Sequence, residues 1–296
     1  MRRRHVLLAR DRRLELGEKT VIMGVLNVTP DSFSDGGLYV DAAAALRQAE
    51  AMIAAGAGVL DIGGESTAPS SRPVTAEVEC ARVVPVIEAL RDRGVLISVD
   101  TWKSQVAEAA LAAGAHIVND ITALQGDPDM ARVVRSSGAG VILMHNAVLY
   151  RGTSAPGAFP LFGRDNRRAM AGFADVDLIE AVSAYFDLVL AHAQQAGIDA
   201  DRIMLDPGFG FGVSAEENFR LFSHLPALLE RPLPWLVGVS RKRFVQRLSG
   251  ADLPADLTTA VLGHAAALNG AHMLRVHDVR LQKRYADMAD TILGAG

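Results

Sequence analysis

From residue 21 onward the chain alternates short apolar runs with longer stretches of helical composition. Eight of these runs are rich in Val, Ile and Leu and show no clean apolar–polar alternation, which suits strands buried on both faces of a parallel sheet. Each run ends in a polar residue: VIMGVL meets Asn27, GVLDIGG meets Glu65, VLISV meets Asp100 and HIV meets Asn119. VILM meets His145, RIML meets Asp206, WLVGVS meets Arg241 and Lys242, and HMLRV meets His277. In a closed barrel of parallel strands every C-terminal end opens at one mouth, where side chains distant in sequence converge. The pattern predicts an α/β chain folded as a single (β/α)8 barrel over residues 1–296, with one site built from most of its length.

Strands are predicted at 21–26, 58–63, 95–99, 115–119, 140–144, 202–205, 234–239 and 271–276. Helices are predicted near 41–55, 75–92, 102–113, 127–137, 175–196, 215–229, 241–248, 256–270 and 278–293. Thr75 offers a cap, and Asp127-Pro128 reads as an N-cap and first-turn pair. Residues 5–20 read as a β-hairpin able to cover the bottom of the barrel. Residues 146–174, with six Gly or Pro and four Arg, are too long for an ordinary connection and read as a lid or a mobile insertion.

Composition narrows the function classes. A net charge of −4 argues against a nucleic-acid partner held by general electrostatics. The single cysteine, Cys80, leaves no disulfide framework and no thiolate metal site. The basic opening is followed by only a four-residue apolar stretch, VLLA, which is no usual signal sequence, and no run approaches a membrane span. A cytoplasmic, soluble protein without membrane contact is the expectation.

The candidate chemistry lies on the loops after the strands. NVTPDSFSDGG (27–37) and GGESTAPSS (63–71) are polar, glycine-bearing loops, the Gly63-Gly64 pair offering backbone N–H groups to an anion. Asp100, Asn119 and Asp206 can accept and donate along the edge of a flat heterocycle presenting adjacent N–H and NH2 groups, or serve as a general acid/base pair. Phe209 and Phe211 in DPGFGFG read as walls for an aromatic substrate. SRKRF adds Ser240 and Lys242, and RVHDV places Arg275 and His277 where barrels commonly bind phosphate. His116, His192, His224, His264 and His272 fall inside elements and read as structural.

NVTPDSFSDGG, GGEST, SVDT, VND, LMH, DPGFGFG, SRK and RVHDV, in this order, resemble the dihydropteroate synthase family over roughly residues 20–293. The resemblance implies an eight-stranded α/β barrel, commonly dimeric. It also implies a transferase joining 6-hydroxymethyl-7,8-dihydropterin pyrophosphate to p-aminobenzoate, giving 7,8-dihydropteroate and pyrophosphate in folate biosynthesis. By the same resemblance Asp100, Asn119, Met144, Asp206 and Lys242 would bind the pterin. Asn27, Arg275 and His277 would hold pyrophosphate, Asn27 together with Mg2+. Thr67, Pro69, Phe211 and Ser240 would shape the p-aminobenzoate site, and Asp35 on the first loop would join Lys242 in catalysis. Three departures from the family pattern stand at the mouth: Ala68 replaces an Arg, Val213 replaces a Lys, and the segment after LMH is longer and more basic. They leave room for altered sulfonamide sensitivity and for a non-catalytic pterin-binding paralogue. A methyltetrahydrofolate-type methyltransferase is a further reading, one that should lack the NVTPDSFSDGG and SRK…RVHDV pairing.

Overall fold

In the computed structural model the described residues are 2–29, 38–66, 73–151, 170–250 and 253–294. Two short strands, β1 (His5–Ala9) and β2 (Arg12–Leu16), pair antiparallel as the expected hairpin. The apolar runs then form β3 (Val21–Asn27), β4 (Val59–Gly63), β5 (Leu96–Asp100), β6 (Ile117–Asp120), β7 (Gly140–Met144), β8 (Ile203–Asp206), β9 (Leu236–Val237) and β10 (Met273–Val276). These eight strands pair in parallel, sequential neighbours together and β10 against β3. A parallel bridge between Leu205 and Trp235 joins β8 to the ninth strand and closes the ring. The predicted barrel and hairpin are both present.

Among the described residues the helices are α1 (Leu38–Ala54), α2 (Ala76–Leu90), α3 (Ser104–Ala113), α4 (Met130–Ser137), α5 (Val148–Arg151), α6 (Leu178–Gln195), α7 (Ala215–Ser223), α8 (Leu225–Leu228), α9 (Arg243–Ser249), α10 (Ala255–Leu268) and α11 (Val279–Ile292). They cover the outward strand residues, such as Leu60, Ile62, Val99 and Val141, with Val83, Ile87, Val106 and Val133 in one continuous core. Two predicted details differ. The stretch 215–229 splits at His224, because Pro226 in the next turn cannot donate to a continuing helix. The N-cap of α4 is Asp129 rather than Asp127, and Asp127 serves two helices: its Oδ1 accepts from the Asp129 N–H at 2.9 Å in the turn that opens α4. Its carboxylate accepts from the Ser104 N–H at 2.9 Å, serving the start of α3, whose own N-cap Lys103 makes no side-chain cap bond.

Strand register decides which end of the barrel is chemical. Met23 pairs with Val59, and four residues on Asn27 pairs with Gly63, so one inward row runs from apolar at the bottom to polar at the mouth. The bottom layer is Met23, Val59, Ile117, Ile142, Met204, Leu236 and Met273, packed against Leu7, Ala9 and Leu16 of the hairpin. Hairpin and layer together plug the lower end of the barrel with apolar side chains.

Candidate active site at the barrel mouth

Adjacent strands bring Asp100 and Asn119 into register, and Met144 and Asp206 likewise, so four of the predicted residues form one belt. Arg275 on β10 reaches across the barrel, its Nη2 donating to Asp100 Oδ2 at 2.5 Å. Phe211, Ser240, Lys242 and His277 complete the lining of the same cavity, with Val25, Ile121, Phe209 and Gly238. Asn27 stands beside it: its Oδ1 lies 3.6 Å from where a Cβ on Gly63 would be, and the Asp100 Oδ2 lies 3.8 Å from that point. The structure thus gathers Asn27, Asp100, Asn119, Met144, Asp206, Phe211, Ser240, Lys242, Arg275 and His277. Asp35, Thr67 and Pro69 lie outside the described residues, as do Ala68 and residues 152–169 of the stretch 146–174 read as a lid or a mobile insertion.

Burial sets the protonation of the belt. It pushes the Asp100 carboxyl up to about 7, Arg275 opposing and Asp61 adding to the rise. It raises Asp206 to about 6 against the Gly208 N–H, Lys242 and Arg275. Burial, helped by Arg275, brings Lys242 down to about 8. For Arg275 burial works against the charge, but Asp61 and Asp100 outweigh it and hold the guanidinium above its ordinary range. Burial lowers His277 to about 4, so it is neutral at pH 7. The Arg-x-His motif is therefore not a doubly cationic fork; the positive charge here belongs to Arg275 and Lys242. Ser240 Oγ accepts the His277 amide N–H at 3.2 Å and lies 2.9 Å from its Nδ1. A hydroxyl hydrogen given to Nδ1 leaves the imidazole proton on Nε2.

One residue of the site was passed over in the sequence. Asp61 sits in the middle of β4, fully buried, and its Oδ2 accepts from Asn119 Nδ2 at 2.9 Å and from Arg275 Nε at 2.6 Å. It ties the amide of the belt to the guanidinium. A carboxylate inside an apolar run was the signal, since such a group is buried only with partners.

Other expectations need correction. Phe209 is 1% exposed and stacks on Phe244, so it is mainly core that happens to floor the cavity. Phe211 is the ring that faces charge, with Lys242 Nζ 4.1 Å from its centroid. His145 does not reach the mouth; it is fully buried, with Nε2 2.9 Å from the Tyr150 hydroxyl. Arg241 turns outward to a two-point pair with Asp256, because its left-handed backbone (φ 57°) sends it away while Lys242 points in. Gly64 is needed for contact, since a Cβ there would stand 2.9 Å from Val83 and 3.0 Å from Glu79 on α2.

The donor set is compatible with magnesium. Mg2+ takes hard oxygen ligands, keeps several waters, and is commonly held by one or two protein oxygens plus substrate phosphates. Asn27 Oδ1, beside the Asp100 carboxylate, offers such an oxygen. Among the described residues no cluster of three or more His, Cys, Asp or Glu forms an all-protein cage.

The sequence matches the family described as pterin binding enzyme over residues 23–277. It is 41% identical to a dihydropteroate synthase of Mycobacterium leprae, over 88% of each chain. It is 39% identical to a dihydropteroate synthase of Bacillus subtilis, over 96% of this chain and 92% of the relative. The fold superposes with a TM-score of 0.80 on Xanthomonas albilineans dihydropteroate synthase with 4-aminobenzoic acid, at 37% identity, over 98% of this chain and 99% of the other.

Proposed function

The chain belongs to the pterin-binding enzyme family, and we propose that it works as a dihydropteroate synthase, a transferase condensing 6-hydroxymethyl-7,8-dihydropterin pyrophosphate with p-aminobenzoate. The observation that carries this reading is the convergence of Asp100, Asn119, Asp206, Lys242 and Arg275 on one cavity. A pterin presents N–H and NH2 donors that carboxylates and an amide oxygen satisfy, and Met144 offers a soft, apolar face to the ring.

The reaction forms a C–N bond from the arylamine nitrogen to the pterin methylene and breaks the C–O bond to pyrophosphate; the displaced amine proton leaves to solvent. An arylamine attacks without a strong base, so catalysis rests on charge placement. Arg275 and Lys242 face the oxygens that gain negative charge, with His277 Nε2–H as a neutral donor. Asp100 and Asp206, ionised when the donors of the pterin reach them, stabilise positive charge on the ring. Phe211 and Ser240, with Thr67 and Pro69, would receive p-aminobenzoate, and Asp35 would act from the first loop. A magnesium ion held at Asn27 would neutralise part of the pyrophosphate charge. Asp61 keeps Asn119 and Arg275 aimed.

The methyltransferase reading gives no work to the Arg275 and Lys242 charges beside the pterin belt, because its leaving group is not an anion. For assembly we propose a homodimer: Val261 and Leu268 share one exposed face of α10, and Met288 and Ile292 an exposed face of the adjoining α11. No helix among the described residues is long and apolar enough to cross a membrane, and the proposed cytoplasmic setting agrees with the free thiol of Cys80. The deciding experiment measures pyrophosphate release from dihydropterin pyrophosphate, with and without p-aminobenzoate and Mg2+. Release that needs p-aminobenzoate supports the synthase; pterin binding without release supports the non-catalytic paralogue.

A further inference from the structure

Two buried polar clusters flank the mouth without lining the cavity. In one, Lys103 Nζ donates to Glu65 Oε2 at 3.1 Å and to Glu79 Oε2 at 2.5 Å, which locks the turn after Asp100 onto α2. The other acts on the cavity through a neighbour. His145 is fully buried, and an imidazole stays in a core only when its nitrogens are bonded. Its Nδ1 lies 3.1 Å from the Pro207 carbonyl oxygen, which can only accept, so Nδ1 carries the proton. Burial lowers the ring to about 4, so it holds no second proton at neutral pH. Nε2 therefore accepts from the Tyr150 hydroxyl, 2.9 Å away, and α5 is tied to the start of the loop after β8.

The same helix grips the far end of that loop. Arg151 Nη1 donates to Glu217 Oε1 at 2.8 Å and to the Gly212 carbonyl at 3.4 Å. The other oxygen of Glu217 accepts the Ser214 N–H in the capping box that opens α7. Near this anchor the two backbones touch: Gly212 has φ +70°, and a Cβ there would stand 2.4 Å from the Val148 nitrogen. Phe211 lies between the two anchors. Its N–H donates to the Gly208 carbonyl at 3.2 Å, and its ring faces the cavity with Lys242 Nζ 4.1 Å from its centroid. Asp206, one residue before Pro207, is held instead by strand pairing with Met144, so the pterin belt does not depend on this clamp.

We infer that Tyr150 and Arg151 are positioning residues for the second substrate: they clamp α5 onto both ends of the loop after β8 and so fix Phe211 beside Lys242. The inference rests on the proposed function, under which Phe211 and Ser240 receive p-aminobenzoate. Both residues belong to the segment after LMH, where this chain departs from the family pattern. That departure thus begins with the side chains that hold Phe211.

Tyr150→Phe removes one hydroxyl and keeps the ring, which packs on Phe173 and Tyr185. It is expected to raise KM for p-aminobenzoate on the order of tenfold, the scale of a small misplacement of a substrate-binding group. KM for the pterin pyrophosphate should stay within about twofold, since an effect confined to one wall leaves binding of the other substrate intact. A double-mutant cycle separates positioning from general loosening: in a Phe211→Ala background, Tyr150→Phe should change KM for p-aminobenzoate by less than about twofold. An unchanged KM for p-aminobenzoate in the folded single variant, an equal rise for both substrates, or the same rise with and without Phe211 overturns the positioning role, while wild-type turnover keeps the synthase reading. If Tyr150→Phe does not fold, Arg151→Met leaves the His145 bond whole, frees the other end of the loop and goes through the same cycle with the same expected outcome. A wild-type chain that releases no pyrophosphate overturns that reading and this inference with it.

Discussion

The two ends of the barrel use the same inward positions for opposite purposes. At the floor, Met23, Val59, Ile142 and Met204 meet Leu7 and Leu16 of the hairpin in a dry layer. At the mouth, a few residues further along the same strands, stand Asn27, Asp100, Met144 and Asp206. The floor gains stability from apolar burial and close packing. The mouth gives some up, holding two carboxylic acids above their ordinary range and an ammonium below its own. Stability and chemistry are therefore separable in this molecule, and substitutions at the two ends should fail in different ways.

The widest separation is expected from Lys242→Ala: pyrophosphate release should fall by a factor of about 10³, as for loss of a charge-stabilising donor, with little change in Tm. Retained turnover in the folded variant would remove Lys242 from the site. Gly208→Ala lies under the mouth but is a folding test. The glycine has φ +75°, and a Cβ would stand 1.7 Å from the His145 carbonyl oxygen. A loss of about 3 kcal/mol or more is expected by denaturant titration. Leu7→Ala at the floor should cost about 2–5 kcal/mol while leaving kcat/KM unchanged; a matching loss of turnover would break the separation.

Acidity sharpens the contrast. Unfolded carboxyls titrate near about 4, whereas Asp100 and Asp206 in the fold titrate at about 7 and about 6. The folded chain thus holds extra protons between these values, so their contribution to stability is full below about pH 4 and is lost as pH rises to about 7. Lys242, lowered to about 8, acts in reverse: its penalty is present at neutral pH and fades between about 8 and about 10.5. Tm measured across pH should show the acidic-side decline in the wild type and a flatter curve in Asp206→Asn. In turnover, kcat/KM for the pterin pyrophosphate should rise through about pH 7 as Asp100 ionises and fall beyond about pH 8 as Lys242 loses its charge. The smallest effect is expected from Val213→Lys, because Val213 packs at the edge of the core rather than lining the cavity; a change of turnover beyond a few-fold would contradict that.

The strands were legible because a barrel strand buried on both faces leaves an unbroken apolar run, and the sites at their ends because a polar residue after such a run has few other reasons to be there. The same logic misjudged Glu65, His145 and Arg241, which follow strands yet turn away from the mouth. Whether a side chain at a strand end points in or out depends on the following turn, and the left-handed Arg241 could not be read from residue order. Asp61 was hidden for the opposite reason, lying inside the run rather than at its end. Phe209 shows that a ring on a glycine-rich loop is not thereby free, since Phe222 on α7 and Phe244 on α9 pack against it.

The start of the chain has a consequence for how the protein is made. Arg2 pairs with Asp290 at 2.8 Å, the Thr20 N–H donates to the same carboxylate at 2.7 Å, and β3 finds its outer partner only in β10. This segment therefore waits for a partner 270 residues later before it can dock. Contacts of such sequence separation close late and slowly, so a nascent chain cut short before β10 would carry an open barrel with two bare strand edges, on β3 and β9. The hairpin that seals the floor is thus built before every barrel strand and is among the last pieces fastened.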